Sequence, residues 1–249
     1  MDIVKFKKLK KPIKVENYDY NEPHPRINDI FPNIIRAGIF GSSGCGKTNV
    51  LIQILLEINT YLNIYICTKT PHQEKYGRLK NIIDIFNEKS KYKIGLYTLL
   101  PNDLKEPEEI EPYSVIIFDD ILTDPQENIA TYFLRGRHYN ISCFYLAQTY
   151  SKVPKHCIRD NFNYLIIFKQ DLKNLKHIFE NHVTDLTFER FKKMCNSCWK
   201  EKYGFLVIDK ECNNKNEIYK KNFKEGFILE VDTTALRPST RGDNHKEVC

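Results

Sequence analysis

"GIFGSSGCGKTNVLIQIL", residues 38–55, joins a short apolar run to a helical run through a loop of glycines and serines. Upstream, IIRAGIF (34–40) reads as a buried strand. Downstream, from Lys47 to Ile58, residues Leu51, Ile54, Leu55 and Ile58 recur at helical spacing. The loop Gly41-Ser42-Ser43-Gly44-Cys45-Gly46-Lys47-Thr48 fits G-x-x-x-x-G-K-(S or T), the P-loop pattern, in its required strand-to-helix context. Glycines let the backbone curl so that successive N–H groups face phosphate oxygens, and the helix N-terminus adds partial positive charge. Residues Gly41 to Asn49 are therefore the expected nucleotide cradle. Lys47 is expected to reach the β- and γ-phosphates, and Thr48 to place its hydroxyl on Mg²⁺.

A second feature pairs with the loop. Ser114-Val115-Ile116-Ile117-Phe118-Asp119-Asp120 is an apolar strand ending in two carboxylates, a Walker B arrangement. In a parallel sheet the C-terminal strand ends form the ligand side. Asp119 is the expected magnesium ligand, and Asp120 the residue that accepts a proton from the attacking water or orients it. Gln148, closing ISCFYLAQ (141–148), is placed to contact the γ-phosphate or position that water. Hydrolysis at such sites draws on an arginine supplied from outside. Arg135 and Arg137, in FLRGRHYN, and Arg159, in KHCIRDN, are the candidates.

The rest of the chain alternates strands and helices. LNIYICT (62–68), IGLY (94–97), NYLIIF (163–168), GFLVID (204–209) and GFILEV (226–231) read as strands. Helices are expected over 74–88, 126–137, 171–181 and 185–199. Continuous apolar strands separated by helices indicate an α/β fold with a mostly parallel sheet flanked by helices on both faces. Residues 1–32, with Lys5, Lys7, Lys8, Lys10 and Lys11 and four prolines, read as a basic arm. Residues 33–232 read as the ATPase domain and 233–249 as a polar tail.

The totals agree with one domain. The 249 residues are 41% hydrophobic and 28% charged, enough to bury a core without a disulfide scaffold. The net charge of +6 is compatible with a polyanionic partner without requiring one. Eight scattered cysteines, no apolar leader after MDIVKFKKLKKP and no run of roughly 18 apolar residues point to a reducing, intracellular protein without a membrane span. Cys195, Cys198 and Cys212 could supply three zinc ligands, but no fourth is evident.

GSSGCGKT, SVIIFDD, RGRHYNISCFYLAQTY and VPKHCIRDNFNYLIIFK together resemble the genome-packaging ATPases of poxvirus-type large DNA viruses, virophages and polinton-like elements, within the FtsK–HerA superfamily. The resemblance runs from about residue 34 to 170. It implies a RecA-like P-loop core, ATP with Mg²⁺, and a homo-oligomeric ring, pentamer or hexamer. It further implies non-sequence-specific double-stranded DNA moved into a preformed capsid, with a capsid protein as a further partner. The setting it implies is the host cytoplasm or a viral factory. Lys47 and Thr48 match the family's Walker A pair, Asp119 its magnesium aspartate and Gln148 its polar strand-end residue. Asp120 departs from the glutamate common in the superfamily. The expected DNA contacts are the amino-terminal lysines and the YSKVPKH loop with Lys152, Lys155 and His156. Two other readings stay open from the residues: a helicase or partition motor, and an assembly protein gated by nucleotide with little turnover.

Overall fold

Six apolar segments dictate the centre of the molecule. Their side chains do not alternate between apolar and polar, so both faces must be covered, and the chain meets this with parallel strands under helices. The computed structural model describes residues 26–58 and 60–228. In chain order the main elements are β1 (Arg36–Phe40), α1 (Lys47–Ile58), β2 (Asn63–Thr68), α2 (Glu74–Lys89), β3 (Gly95–Leu99) and β4 (Ser114–Asp119). They continue with α3 (Glu127–Arg135), β5 (Ile141–Ala147), β6 (Tyr164–Ile167), α4 (Leu172–His182), α5 (Phe188–Cys198), β7 (Leu206–Asp209), β8 (Tyr219–Lys221) and β9 (Glu225–Gly226). The strands form one sheet ordered β3-β2-β4-β5-β1-β6-β7-β8-β9. Pairings from β3 to β6 are parallel, and β7, β8 and β9 extend the sheet antiparallel.

Each face carries its own core. On one, Leu51, Ile54 and Leu55 of α1 and Leu79 and Ile83 of α2 pack against Ile39, Ile117 and Ile166. On the other, Phe133 of α3, Ile178 of α4 and Phe191 of α5 pack against Phe118, Tyr145 and Leu165. Within β1, Gly38 leaves room for its neighbours: a Cβ there would lie 2.4 Å from the Phe40 ring and 2.9 Å from Phe162.

Three local readings change. The helix expected to reach 137 ends at Arg135 and tightens into a 3-10 turn, Gly136–Tyr139, capped by Asn140 in the left-handed region (φ 54°). The strand expected over 226–231 is confined to Glu225–Gly226, and residues 229–231 lie outside the described residues. β8 was not anticipated, because Tyr219-Lys220-Lys221 has too few apolar residues to stand out. The lysines at 5, 7, 8, 10 and 11 and the tail at 233–249 also lie outside the described residues. Within the stretch read as an arm, Phe31 is buried and packs 5.7 Å from Tyr164 and 5.5 Å from Phe223.

Registry sets the functional edge. Phe40 lies level with Ala147 on one side and Ile167 on the other, and Asp119 level with Leu146 and Thr68. Five parallel strands thus end side by side, and the segments that follow them meet.

Candidate functional site

The loop after β1 starts tied to its neighbour strand, with Gly41 N donating to Ala147 O at 3.2 Å. Gly41 must be glycine for space, since a Cβ would lie 2.6 Å from both Cys45 Sγ and Phe168 Cβ. Gly44 and Gly46 must be glycine for conformation. Their φ angles are 74° and 109°, and only glycine takes the second without strain. The curl delivers the chain into α1 at Lys47, as the P-loop pattern requires.

Lys47 is folded back on its own loop, with Nζ donating to Gly41 O at 2.7 Å and Ser42 O at 3.1 Å. Burial lowers its pKa, while Cys45, Asp119 and Asp120 favour the charged form. Asp119, ending β4, is buried, and its Oδ2 accepts a hydrogen bond from the Tyr76 hydroxyl at 2.7 Å. Burial raises the Asp119 pKa, the Tyr76 bond opposes this and the Asp120 charge adds to it. Asp120 turns out of the strand with φ 57°, a left-handed conformation that aspartate tolerates better than most residues. Gln148 is exposed at the end of β5.

These side chains share one cleft of about 200 Å³ at the C-terminal edge of the sheet. It is lined by Ser43, Gly44, Gly46, Lys47 and Thr48 of the loop and α1, by Asp119 and Asp120 at the end of β4, and by Leu146, Ala147 and Gln148 at the end of β5. Of the remaining cradle residues, Gly41 and Cys45 shape the turn, while Ser42 and Asn49 are exposed outside the cleft lining. The Thr48 hydroxyl and the Asp119 carboxylate are both hard oxygen donors on this cleft. That set suits Mg²⁺, which takes few protein ligands and leaves its other positions to phosphate and water.

None of the three arginines lines the cleft. Arg135 pairs with Glu106 at 2.8 Å, and Arg137 is exposed on the 3-10 turn after α3. Arg159 is buried, its Cζ 4.8 Å from the centre of the Tyr150 ring. Lys152, Lys155 and His156 are exposed together on the segment that follows Gln148. Cys195 and Cys198 are buried in α5, and among the described residues no His, Cys, Asp or Glu cluster could hold a metal ion. Nor is any described helix long and apolar enough to cross a membrane.

Sequence reasoning missed two groups of side chains. Gln73 and Lys75 line the cleft from the start of α2, beside Tyr76. Their position after β2, a strand ending at the functional edge, was the available signal. Tyr150 lies beneath the loop that carries Gln148, fully buried and edge-on to Phe40 at 5.0 Å. Its hydroxyl accepts from Asn181 Nδ2 at 2.9 Å and is hydrogen-bonded to His182 Nε2 at 2.8 Å. A buried tyrosine hydrogen-bonded to two residues of α4 fixes the loop behind Gln148.

Comparison with known proteins follows the same lines. No curated protein matches the chain. Among solved structures, the genome packaging NTPase B204 of Sulfolobus turreted icosahedral virus 2, in complex with sulfate, is similar with a TM-score of 0.54 at 14% identity, over 80% of this chain and 99% of that one. B204 described as the DNA-packaging ATPase from Sulfolobus Turreted Icosahedral Virus gives 0.51 at 16% identity, over 79% and 100%. VirB4 of Thermoanaerobacter pseudethanolicus gives 0.50 at 10% identity, over 87% and 94%. At these identities the likeness is one of fold. The sequence match is more specific, because the family model described as Poxvirus A32 protein covers residues 26–232, cleft, sheet and antiparallel extension together. The chain belongs to the Poxvirus A32 protein family.

Proposed function

We propose that this protein is a viral genome-packaging ATPase that couples ATP hydrolysis to movement of double-stranded DNA. The observation that carries the reading is the convergence of Lys47, Thr48, Asp119, Asp120 and Gln148 on one cleft from three separate strand ends. Family membership supports it, as does a fold shared with a genome packaging NTPase determined in complex with ATP-gammaS.

The residues divide the work as follows. The amides of residues 41–47 and the α1 N-terminus cradle the phosphates. Lys47 exchanges the carbonyls of Gly41 and Ser42 for β- and γ-phosphate oxygens. Thr48 and Asp119 would hold Mg²⁺, which when bound would supply positive charge to the phosphates. Gln148 donates to the γ-phosphate, and Asp120 accepts a proton from the water that attacks it. The bond from the γ-phosphorus to the bridging oxygen breaks, leaving ADP and phosphate. Tyr150 keeps Gln148 in place through its bonds to Asn181 and His182.

Among the described residues no arginine lines the cleft, and in this reading a neighbouring subunit in a ring supplies one. Arg137 is the best placed to do so. Arg135 is held by Glu106, and Arg159 is buried over the Tyr150 ring. Lys152, Lys155 and His156 contact DNA phosphates, which makes binding salt-sensitive and nearly blind to base sequence. They follow Gln148 closely, so a change in its contacts on phosphate release is transmitted to them directly. The test is the steady-state ATPase rate with long duplex DNA, with single strands and with neither. Stimulation by duplex, abolished in Lys152→Ala/Lys155→Ala, is the expected result. A rate indifferent to duplex overturns the motor reading.

A further inference from the structure

The cleft holds a second lysine that the P-loop pattern does not include. Lys75, in the first turn of α2, lines it together with Lys47, Thr48, Asp119 and Gln148. Its backbone is held in place by its neighbours. The next residue, Tyr76, is buried and bonds the Asp119 carboxylate at 2.7 Å, and Tyr76 N and Gly77 N both donate to Gln73 O. The turn bearing Lys75 is thereby pinned to the end of β4.

Among the described residues, no carboxylate neutralises the charge of Lys75. Two of the three other cations on α2 are engaged along the helix, Arg78 with Glu74 at 2.5 Å and Lys80 with Asp84 at 2.6 Å. Lys75 forms no ion pair among the described residues, and it is only partly exposed. It also stands near enough to Lys47 to disfavour the Lys47 charge. Two ammonium groups facing one cleft repel each other until an anion enters between them. A triphosphate is such an anion, and its negative charge exceeds what Lys47 offsets.

We propose that Lys75 is a second phosphate-binding cation, contributed in cis by α2, that contacts the terminal phosphate and so distinguishes a nucleoside triphosphate from a diphosphate. This rests on the reading of the cleft as a nucleotide site. It is independent of any arginine from a neighbouring subunit, because the cation belongs to the same chain.

The experiment is calorimetric titration of the full chain, in the presence of Mg²⁺, with a nonhydrolysable ATP analogue and with ADP. Wild type, Lys75→Ala and Lys75→Arg are compared, and circular dichroism verifies that each is folded. In Lys75→Ala the analogue is expected to bind about tenfold more weakly, or about 1.4 kcal/mol, while ADP changes by less than about twofold. Lys75→Arg retains most of the discrimination. Equal weakening of both ligands, or none of either, in a folded Lys75→Ala overturns the role of Lys75 while leaving the nucleotide site standing. Failure of the wild type to bind either ligand overturns the site itself.

Discussion

At the scale of single residues, the site depends on backbone angles as much as on charges. Gly46 has φ 109°, and a Cβ there would find ordinary contacts, the nearest 3.6 Å away on the Phe168 ring. Space is available, so the requirement for glycine is conformational. Gly46→Ala is expected to cost about 1 to 3 kcal/mol of stability, or to shift the loop and weaken nucleotide binding. Urea unfolding together with nucleotide titration checks this; an unchanged midpoint with unchanged affinity would contradict it.

His182 shows how a buried residue behind the site sets a pH limit. Burial, with repulsion from Lys210 and Arg159, pushes its pKa down to about 3. Its Nδ1 has no hydrogen-bond partner among the described residues, so a charged ring would be doubly unfavourable. An unfolded histidine titrates near about 6.5. Between those values the unfolded chain binds a proton that the folded chain does not. The stabilisation is therefore fully present above the unfolded pKa and is lost as pH falls toward the folded one. The expected slope from this residue is about 1.4 kcal/mol per pH unit below pH 6. Urea unfolding at pH 7, 6 and 5 should show less acid sensitivity in His182→Gln than in wild type, and identical slopes would count against burial of a neutral ring.

At the scale of elements, what could be read from the chain follows from how strongly each segment constrains itself. The loop from Gly41 to Thr48 is legible because its glycines, lysine and threonine serve one backbone conformation. β4 and β5 are legible because their apolar runs are uninterrupted, and every residue in both strands is buried. The antiparallel edge is not. β8 and β9 contain lysine, glutamate and glycine, and they become strands only by pairing with β7 and each other. The end of α3 escaped notice because Gly136 lies in a helical conformation there (φ −52°, ψ −32°), and the left-handed stop falls on Asn140.

The same logic applies to the cleft. Lys47, Thr48 and Asp119 belong to local motifs, so their spacing reveals them. Tyr76 and Lys75 reach the cleft only because α2 packs over β2 and β4, and no local pattern records that. Arg159 looks like a surface charge in KHCIRDN, yet it is buried over an aromatic ring. Its burial depends on Tyr150, which the fold alone brings beneath it.

At the scale of the whole molecule, the first described residues are tied to the far edge of the sheet. Asp209 ends β7 fully buried, and it pairs with Arg26 at 2.6 Å and with Lys220 of β8 at 3.0 Å. One carboxylate thus links the amino-terminal segment to two strands of the antiparallel extension. The family match begins at the same Arg26. Asp209→Ala would leave a largely buried lysine and an arginine without their partner. A loss of about 3 to 5 kcal/mol is expected in urea unfolding, with nucleotide affinity unchanged if the variant folds, since the cleft lies at the opposite ends of the strands. A loss under about 1 kcal/mol, the range of an exposed pair, would show that this linkage does not stabilise the fold.

The central claim is that strand ends and a glycine loop assemble a cleft that holds a nucleoside triphosphate with Mg²⁺. The most direct measurement is calorimetric titration of wild type, Lys47→Ala and Asp119→Asn with a nonhydrolysable ATP analogue, with and without Mg²⁺. The account predicts saturable binding by the wild type that strengthens with Mg²⁺, is lost in Lys47→Ala and no longer responds to Mg²⁺ in Asp119→Asn. Absence of uptake by the folded wild-type chain at millimolar analogue, or binding indifferent to both substitutions, would contradict it.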